Sequence, residues 1–415
     1  MSVTPRPHPA SLDVFVARQP IFDRRSELYG YELLFRSSLD NQFTGTDQDA
    51  ASLAVIANSF FGFGIETLTG RGRAFINFAR GTLLNEYAYV LPRHELVVEI
   101  LEDIEPDDEV VAACERLKRA GYLIALDDFN ARERSGRLHE LADIIKIDFA
   151  ISNADERAAY ARDLARPGVN LLAEKVETRA DFDQAMAFGY AYVQGYFFAR
   201  PEIRVGRSTP GLKATRLEIM RELNGQDPDL DRIEDQFKRD PALSYKLLRY
   251  VNSAAFGLRS PVRTVGRALA YLGQAGVRAF GTVMILADIG TDRPFELVVT
   301  SAVRGRFCEL IGNELGIGDS GQDLFLVGLF SLLDALTGHP LAEALSDLPL
   351  SAPARAALLG ENNQYRQVLT LAESYERGRW THASATIAAL GLTDSSVPSS
   401  YLDAVSWGNQ IGDIR

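Results

Sequence analysis

Acidic and amide residues recur at the ends of short apolar runs in the first half of the chain. FINFA carries Asn77, ELVVEI carries Glu99, and LIALDDF carries Asp127 and Asp128. Carboxylates that lie close together repel each other unless protons or a cation lie between them. Carboxylate and amide oxygens are also the ligands that hard divalent cations prefer. These residues therefore predict a divalent metal site, provided that the fold brings them together.

The pattern continues along the following apolar runs. DIIKID ends with Lys146 and Asp148, NLLAEKVE carries Glu174 and Glu177, and AYVQGY carries Gln194. Metal-dependent phosphodiester hydrolysis needs oxygen ligands, a water made nucleophilic by the cation, and a positive group nearby. Lys146 fits the last role, because an ammonium can orient the water or stabilise charge on the phosphoryl group. Any one of these residues alone is better explained as a strand-end polar group, but their repetition over successive runs favours a shared site.

The apolar runs are typical of buried parallel strands, and helical patterns alternate with them over residues 12–203. The first two runs, FVARQPIFD and ELYGYELLF, are joined by a polar segment too short for a helical crossover, so they should pair antiparallel. We therefore predict a (β/α)₈ barrel of the α/β class with an antiparallel first strand pair. Residues just past the strand C-termini of such a barrel face one mouth, which would bring the polar residues together.

The composition changes after the last of these runs. Residues 204–210 (RVGRSTP) are polar and rich in Gly, Pro and Ser, as expected of a linker. Residues 211–408 carry amphipathic or buried helical patterns that end in glycine, and they are predicted to form an all-α domain. The proline-rich residues 1–11 are predicted to be a flexible leader.

Composition limits the classes of function. The chain has 415 residues, enough for two domains, and a net charge of −12 with a pI of about 5.1. This charge argues against a nucleic-acid polymer as ligand, because phosphate neutralisation needs clustered Lys and Arg. No apolar stretch approaches the length of a membrane span, so no membrane association is expected. Two lone cysteines, Cys114 and Cys308, fit a reducing compartment and predict a cytoplasmic protein.

With these residues in place, roughly residues 14–201 resemble the EAL domain family of cyclic di-GMP phosphodiesterases. Glu32-Leu33-Leu34 stands for Glu-Ala-Leu, and FINFA, EILE, LDDF, KID, AEKVET and QGYFFARP follow in the order of the family's motifs. The resemblance implies that the barrel binds cyclic di-GMP and hydrolyses it to linear pGpG by a two-metal mechanism.

The resemblance also implies a role for each matched residue. It implies two Mg²⁺ or Mn²⁺ ions, held by the metal ligands Glu32, Asn77, Glu99, Asp127 and Asp128. It further implies catalytic roles for Lys146, Glu174 and Gln194, ligand-binding roles for Gln19 and Arg36, and loop-supporting roles for Glu102 and Glu177.

Two departures from the family leave a second hypothesis open. The segment NARERSG, residues 130–136, stands where the family has a Gly- and Ser-rich loop, and Lys175 replaces a glycine. Poorly supported catalytic groups lose much of their effect. The alternative is a catalytically inactive cyclic di-GMP receptor or protein-interaction scaffold. A barrel metallohydrolase for another phosphate ester also fits the chemistry, but it fits the order of the motifs less well.

Residues 211–408 resemble the HDOD domain, a helical relative of the HD phosphohydrolases. FKRDPALSYKLLRYVNSAAFG is the strongest match, and Ser331 and Leu332 stand where the hydrolases carry His-Asp. The resemblance implies a domain without a catalytic metal that relays the signal by binding a protein partner. It leaves open whether the protein is a homodimer.

Overall fold

A computed structural model describes most of both halves of the chain. The described residues are 15–36, 65–127, 137–164, 166–199, 222–223, 230–239, 241–253, 256, 258, 260–289, 293–317, 322–346, 348, 350–393 and 396–412. The predicted leader, the predicted linker 204–210, the loop 130–136 and the predicted metal ligand Asp128 lie outside these residues. Arg36 ends a strand, but its side chain is likewise outside the description.

The first half is a closed barrel of eight strands in sequence order. The strands are β1 (Phe15–Asp23), β2 (Leu28–Arg36), β3 (Arg73–Phe78), β4 (Leu96–Ile100), β5 (Leu123–Leu126), β6 (Ile144–Asp148), β7 (Asn170–Glu174) and β8 (Tyr192–Gln194). β1 pairs antiparallel with both β2 and β8, and the other neighbours are parallel. The predicted barrel and its antiparallel first pair are therefore confirmed.

Helices follow the parallel strands on the outside of the barrel. They are α1 (Ile65–Thr69), α2 (Arg80–Leu84), α3 (Asp108–Arg119), α4 (Arg137–Leu141), α5 (Ala154–Asp163) and α6 (Arg179–Phe188). α3 shows why the sequence folds this way. The side chain of Asp107 accepts a hydrogen bond from the Val110 amide and caps the helix, while Val110, Cys114 and Leu117 lie buried along one face.

The second half is helical, as the sequence predicts. Its described helices are α7 (Leu230–Arg239), α8 (Pro241–Val251), α9 (Val265–Ile289), α10 (Phe295–Leu315), α11 (Gln322–Phe330), α12 (Leu333–Thr337), α13 (Leu341–Ala344), α14 (Ala352–Leu358), α15 (Gln364–Glu376), α16 (Trp380–Leu390) and α17 (Ser396–Gly412). α9 is interrupted at Gly273, whose φ of 65° is left-handed. The pattern DLFLVGLFSLLDALTG forms two helices, α11 and α12, which separate at Ser331 and Leu332.

One described helix is long and apolar enough to cross a membrane by length and composition alone. It covers Val265–Ala287, and half of the most apolar stretch of this helix is buried inside the protein. The expectation that no apolar stretch reaches this length is therefore wrong for this segment. The sequence predicts amphipathic or buried helical segments here, and the apolar residues on both sides of Gly273 join into one long helix. The buried core helix of a soluble protein can have the same length and composition as a membrane span.

The two halves pack together along the outer face of β1 and β2. The guanidinium of Arg18 donates hydrogen bonds to the Leu68 carbonyl (2.7 Å) and to Oδ1 of Asn409 (2.8 Å). The Tyr31 hydroxyl donates to Oε2 of Glu296 (2.9 Å), and the Arg18 guanidinium lies 4.3 Å from the centre of the Tyr31 ring. Because all these groups except Asn409 are buried, the contact is part of the protein core.

Candidate functional site

The site is one layer of inward-facing side chains above an apolar plug. The plug fills the barrel with Ile21, Phe75, Val97, Ala125, Ile144 and Leu172. Side chains in a strand alternate between faces, so the residue two positions further along also points inward. Two positions beyond the plug residues of the parallel strands stand Asn77, Glu99, Asp127, Lys146 and Glu174. The predicted site residues thus share the next layer because of strand periodicity.

Lys146 lies at the centre of this layer and is 1% exposed. Its ammonium is 2.7 Å from Glu174, 2.9 Å from Asp127 and 3.7 Å from Glu32, and it also donates a hydrogen bond to Oε1 of Glu99. Four carboxylates therefore surround one ammonium. One positive charge cannot neutralise four negative ones, so the layer favours additional cations or bound protons.

The pKa values of the layer reflect this imbalance. Burial raises the pKa of Glu99 well above its usual value, with a further contribution from the neighbouring carboxylates, while Lys146 opposes the shift. Burial likewise raises the pKa of Glu174 to about 8. For Lys146 burial lowers the pKa, but the surrounding carboxylates outweigh burial and hold it well above its ordinary value. Lys146 thus retains its positive charge strongly, and Glu99 and Glu174 are protonated more readily than they would be in water.

Gln194 connects the layer to the antiparallel strand pair. Its Nε2 donates to Oε2 of Glu32 (2.5 Å) and to Oε1 of Gln19 (3.0 Å). Gln19 and Glu32 are paired in the register of β1 and β2, which places both side chains beside β8. The next residue, Gly195, has a φ of +145°, and a Cβ there would lie 2.1 Å from the Val176 carbonyl oxygen. The backbone after Gln194 therefore requires glycine.

The remaining predicted residues lie around this centre at different depths. Asn77 is half-buried and is paired with Glu99 in the register of β3 and β4. Glu177 is exposed and lines the cavity above the layer. Glu102 is exposed and lines a separate cleft beyond β4. The structure therefore brings Glu32, Glu99 and the other inward-facing residues together, and leaves Glu102 outside the cluster.

Lys175, which occupies the position of the expected glycine, lies directly after β7. Its φ of 53° is left-handed, a conformation that glycine adopts without strain. Its ammonium makes an ion pair with Oδ2 of Asp148 (2.5 Å), and that carboxylate also accepts a hydrogen bond from the Ala150 amide through Oδ1 (2.6 Å). From the sequence, Asp148 is recognisable only as an acid at the end of a strand. Its contact with Lys175 depends on the left-handed turn after β7, which the sequence does not predict.

The donor set fits a hard divalent cation. Glu99, Asp127 and Glu174 each present a carboxylate oxygen, and these atoms lie within 4.8 Å of one another. Within the described part of the chain, Oε2 of Glu99 and Oε1 of Gln194 are buried and accept no hydrogen bond. Buried acceptors without donors are costly unless another group satisfies them. Oxygen ligands of this kind suit Mg²⁺, Mn²⁺ or Ca²⁺ rather than softer metals.

The helical half closes one side of the barrel mouth. A cavity of about 750 Å³ lies above the layer, and we call it the mouth pocket. Its lining residues are Gln19, Glu32, Leu34, Asp127, Glu174, Lys175, Glu177, Gln194, Gly195, Tyr196, Ala199, Arg304, Ser331, Leu332, Asp334, Glu373, Arg377 and Arg379. Sequence reasoning missed the arginines of this set, because charged residues near helix ends are common on any surface.

Comparisons with known proteins agree with this architecture. A model of the EAL domain matches residues 71–201, and a model of the HDOD domain matches residues 209–347. The uncharacterised protein YuxH of Bacillus subtilis is 33% identical over 97% of this chain and 100% of its own length. The chain belongs to the EAL–HDOD family. The cyclic di-GMP phosphodiesterase CdgJ of Vibrio cholerae is 34% identical over 96% of this chain and 93% of its own length.

Solved structures resemble the EAL half more distantly. A manganese and cyclic di-GMP complex of BlrP1 from Klebsiella pneumoniae is 22% identical, with a TM-score of 0.39, and covers 46% of this chain and 57% of that one. An EAL domain from Listeria monocytogenes is 20% identical, with a TM-score of 0.35, and covers 45% of this chain and 88% of that one.

Proposed function

We propose that this EAL–HDOD protein binds cyclic di-GMP in the mouth pocket and hydrolyses it to linear pGpG with the help of Mg²⁺ or Mn²⁺. The observation that carries the proposal is the buried cluster of four carboxylates around Lys146. In the same layer, Oε2 of Glu99 and Oε1 of Gln194 are buried without a hydrogen-bond donor among the described residues, as expected of oxygens at a metal site. The name of the relative CdgJ supports the same substrate.

In this proposal the residues divide into three groups: metal ligands, residues that hold those ligands, and residues that contact the nucleotide. Two cations would be held by the metal ligands Glu32, Asn77, Glu99, Asp127 and Asp128. When bound, the cations supply a nucleophilic water at neutral pH and neutralise charge on the phosphodiester. Lys146 holds the carboxylates in place through its contacts with Glu99, Asp127 and Glu174. Gln194 fixes Glu32 through its hydrogen bond. Arg36 and Gln19 are proposed to contact the nucleotide.

The test uses the purified full-length chain with cyclic di-GMP, and chromatography separates the products. We expect linear pGpG with Mn²⁺ and none when a chelator is added. Glu99→Gln keeps the size of a side chain that is fully buried but removes a ligand charge, and should reduce turnover by about 100-fold or more. The control is Glu105→Gln, an exposed acid in the loop after the same strand, which should keep wild-type turnover. Intact cyclic di-GMP after incubation of the metal-loaded wild type would defeat the hydrolase assignment.

The receptor alternative is favoured by one observation. Lys175 replaces a glycine beside Glu174, and its ammonium is tied to Asp148. A left-handed residue with a long side chain at the edge of the catalytic layer restricts how the layer can adjust. A receptor would bind cyclic di-GMP, as measured by calorimetry, without producing linear pGpG under the same conditions.

The helical half is proposed to bind a protein partner. Ser331 and Leu332 occupy the position of the His-Asp pair, and neither supplies the imidazole or the carboxylate with which that pair binds a metal. Tyr245 and Tyr271 are aromatic residues of this half that are 62% and 49% exposed. Co-purification with and without cyclic di-GMP tests the relay. A cytoplasmic location is also proposed, since both cysteines are free and buried.

A further inference from the structure

The mouth pocket has walls of opposite charge. The barrel wall carries the carboxylates of Glu32, Asp127, Glu174 and Glu177 against the ammonium of Lys175. The helical wall carries the guanidinium groups of Arg304, Arg377 and Arg379 against the carboxylates of Asp334 and Glu373. An anionic ligand that enters from solvent therefore meets repulsion from one wall and attraction from the other.

The three arginines of the helical wall are not equally available. Arg304 is buried and makes two hydrogen bonds to Glu376 (3.0 and 2.6 Å) and one to Oγ of Ser331 (2.7 Å). The guanidinium of Arg377 lies over the ring of Tyr196, 4.7 Å from its centre. Arg379 makes neither an ion pair nor a ring contact with any residue in the described ranges. Of the three, Arg377 and Arg379 are thus the arginines that a ligand can reach, and both are exposed.

These two arginines are held in place by the turn between α15 and α16. Gly378 separates them and has a left-handed φ of 61°. The turn is closed by hydrogen bonds from the Gly378 amide to the Tyr375 carbonyl (3.0 Å) and from the Arg379 amide to the Ser374 carbonyl (2.8 Å). A Cβ on Gly378 would lie 2.9 Å from Cδ1 of Leu34, on strand β2. The turn therefore packs directly on the barrel rim, against β2, the strand that carries Glu32.

We propose that Arg377 and Arg379 bind the phosphate groups of the nucleotide held at the barrel mouth, so that both halves contribute to one binding site. This inference rests on the proposed function. A cyclic dinucleotide carries a negative charge on each phosphodiester, and guanidinium groups bind phosphate through paired, charge-assisted hydrogen bonds. The carboxylates of the barrel wall offer a phosphate such contacts only through bound cations. The helical half then senses the occupied site directly through α15 and α16.

The experiment measures the affinity of the full-length chain for cyclic di-GMP by calorimetry in the presence of Ca²⁺. The variant is Arg377→Gln with Arg379→Gln. Arg379→Gln alone is measured beside it, because among the described residues that side chain has no ion pair or ring contact to lose. We expect the affinity to fall by about tenfold in the double variant. If the protein hydrolyses the nucleotide with Mn²⁺, the loss should appear in KM, with kcat nearly unchanged.

The matched control is Arg263→Gln with Arg267→Gln, which removes two exposed arginines of the helical half that do not line the mouth pocket. The control should bind as the wild type does. The double variant should unfold at the wild-type temperature without ligand, which separates binding from folding. Wild-type affinity in the double variant would overturn the binding site shared by the two halves, but not the proposed function. Absence of binding in the wild type would overturn the proposed function and this inference with it.

Discussion

At the scale of single residues, Lys146 is the group that makes the carboxylate layer compatible with a folded protein. It contacts Glu32, Glu99, Asp127 and Glu174, and it is itself 1% exposed. Like charges at this depth repel strongly because little water screens them. A divalent cation and this ammonium therefore have related roles. Each offsets the negative charge of the layer.

Replacing Lys146 with Met tests this role. Removal of one partner from a buried ionic cluster typically costs about 3–5 kcal/mol, because the remaining charges are left uncompensated. We expect a loss of that order in the free energy of unfolding, measured by urea denaturation without metal. Added Mn²⁺ should restore more stability to this variant than to the wild type. The control Lys238→Met removes an exposed ammonium paired with Glu234 on one helix and should change stability little. Equal behaviour of both variants would contradict the role given to Lys146.

Most members of the layer could be predicted from the sequence, for a physical reason. Polar residues such as Glu99 and Lys146 stand out in strands whose other residues must be apolar to fill the barrel. The number of carboxylates around Lys146 could not be predicted, because it depends on how strands β2 and β4 lie relative to β6 across the closed barrel. Arg377 and Arg379 could not be found either. They form an ordinary charged turn between helices, and only its packing against Leu34 gives it a place at the site.

At the scale of structural elements, the turn after β7 combines an unfavourable backbone conformation with a compensating contact. Lys175 adopts a φ of 53°, which costs a residue with a Cβ about 1–2 kcal/mol relative to the right-handed conformation. Its ion pair with Asp148 offsets only part of that cost, because the Lys175 side chain is 55% exposed and such pairs contribute up to about 1 kcal/mol. The glycine expected from the family resemblance would avoid the strain.

Comparison of Lys175→Gly with Lys175→Ala isolates the strain, since both variants lose the ion pair. We expect the glycine variant to be more stable by roughly 0.5–1 kcal/mol, after allowance for the greater freedom of glycine in the unfolded chain. The same pair of substitutions at Glu115, an exposed residue within α3, should give the opposite order by about 1 kcal/mol. Chemical denaturation of the four variants provides the comparison. An alanine variant at position 175 as stable as the glycine variant would show that the turn carries no strain.

At the scale of the whole molecule, strands β1 and β2 serve the site and the contact between halves at once. Side chains alternate along each strand, so Gln19 and Glu32 face the barrel interior while Arg18 and Tyr31 face the helical half. The sequence predicted two domains and a linker. It could not predict this contact, because the polar partners Glu296 and Asn409 lie far along the chain and have no local signal. Because β1 and β2 contact both the site and the helical half, a change in these strands on ligand binding would act directly on the contact between the halves.

Glu296 is the titratable group at this contact. It is buried against Arg18 of β1 and Tyr31 of β2. Tyr401 of α17 and Glu376 of α15 also interact electrostatically with Arg18. Burial raises the pKa of Glu296 to about 7, while Arg18 and the hydrogen bond from Tyr31 oppose the rise. The folded pKa therefore lies above the value of 4.5 expected for the unfolded chain. The corresponding stability is fully present below about pH 4.5 and is lost as the pH rises through about 7.

Glu296→Gln should remove this pH dependence, because the amide has nearly the size of the protonated acid and still accepts the hydrogen bond from Tyr31. We expect the variant and the wild type to have similar free energies of unfolding near pH 5. At pH 8 the variant should be more stable by on the order of 3 kcal/mol, the free-energy equivalent of the pKa shift. Urea denaturation at a series of pH values gives the difference in the free energy of unfolding between the two proteins. Titration of the other groups contributes equally to both proteins and cancels in this difference. Glu343→Gln, at an exposed position of the helical half, should give a difference near zero throughout. A Glu296 difference that does not grow between pH 5 and pH 8 would mean that the contact between the halves does not hold this carboxyl in its protonated form.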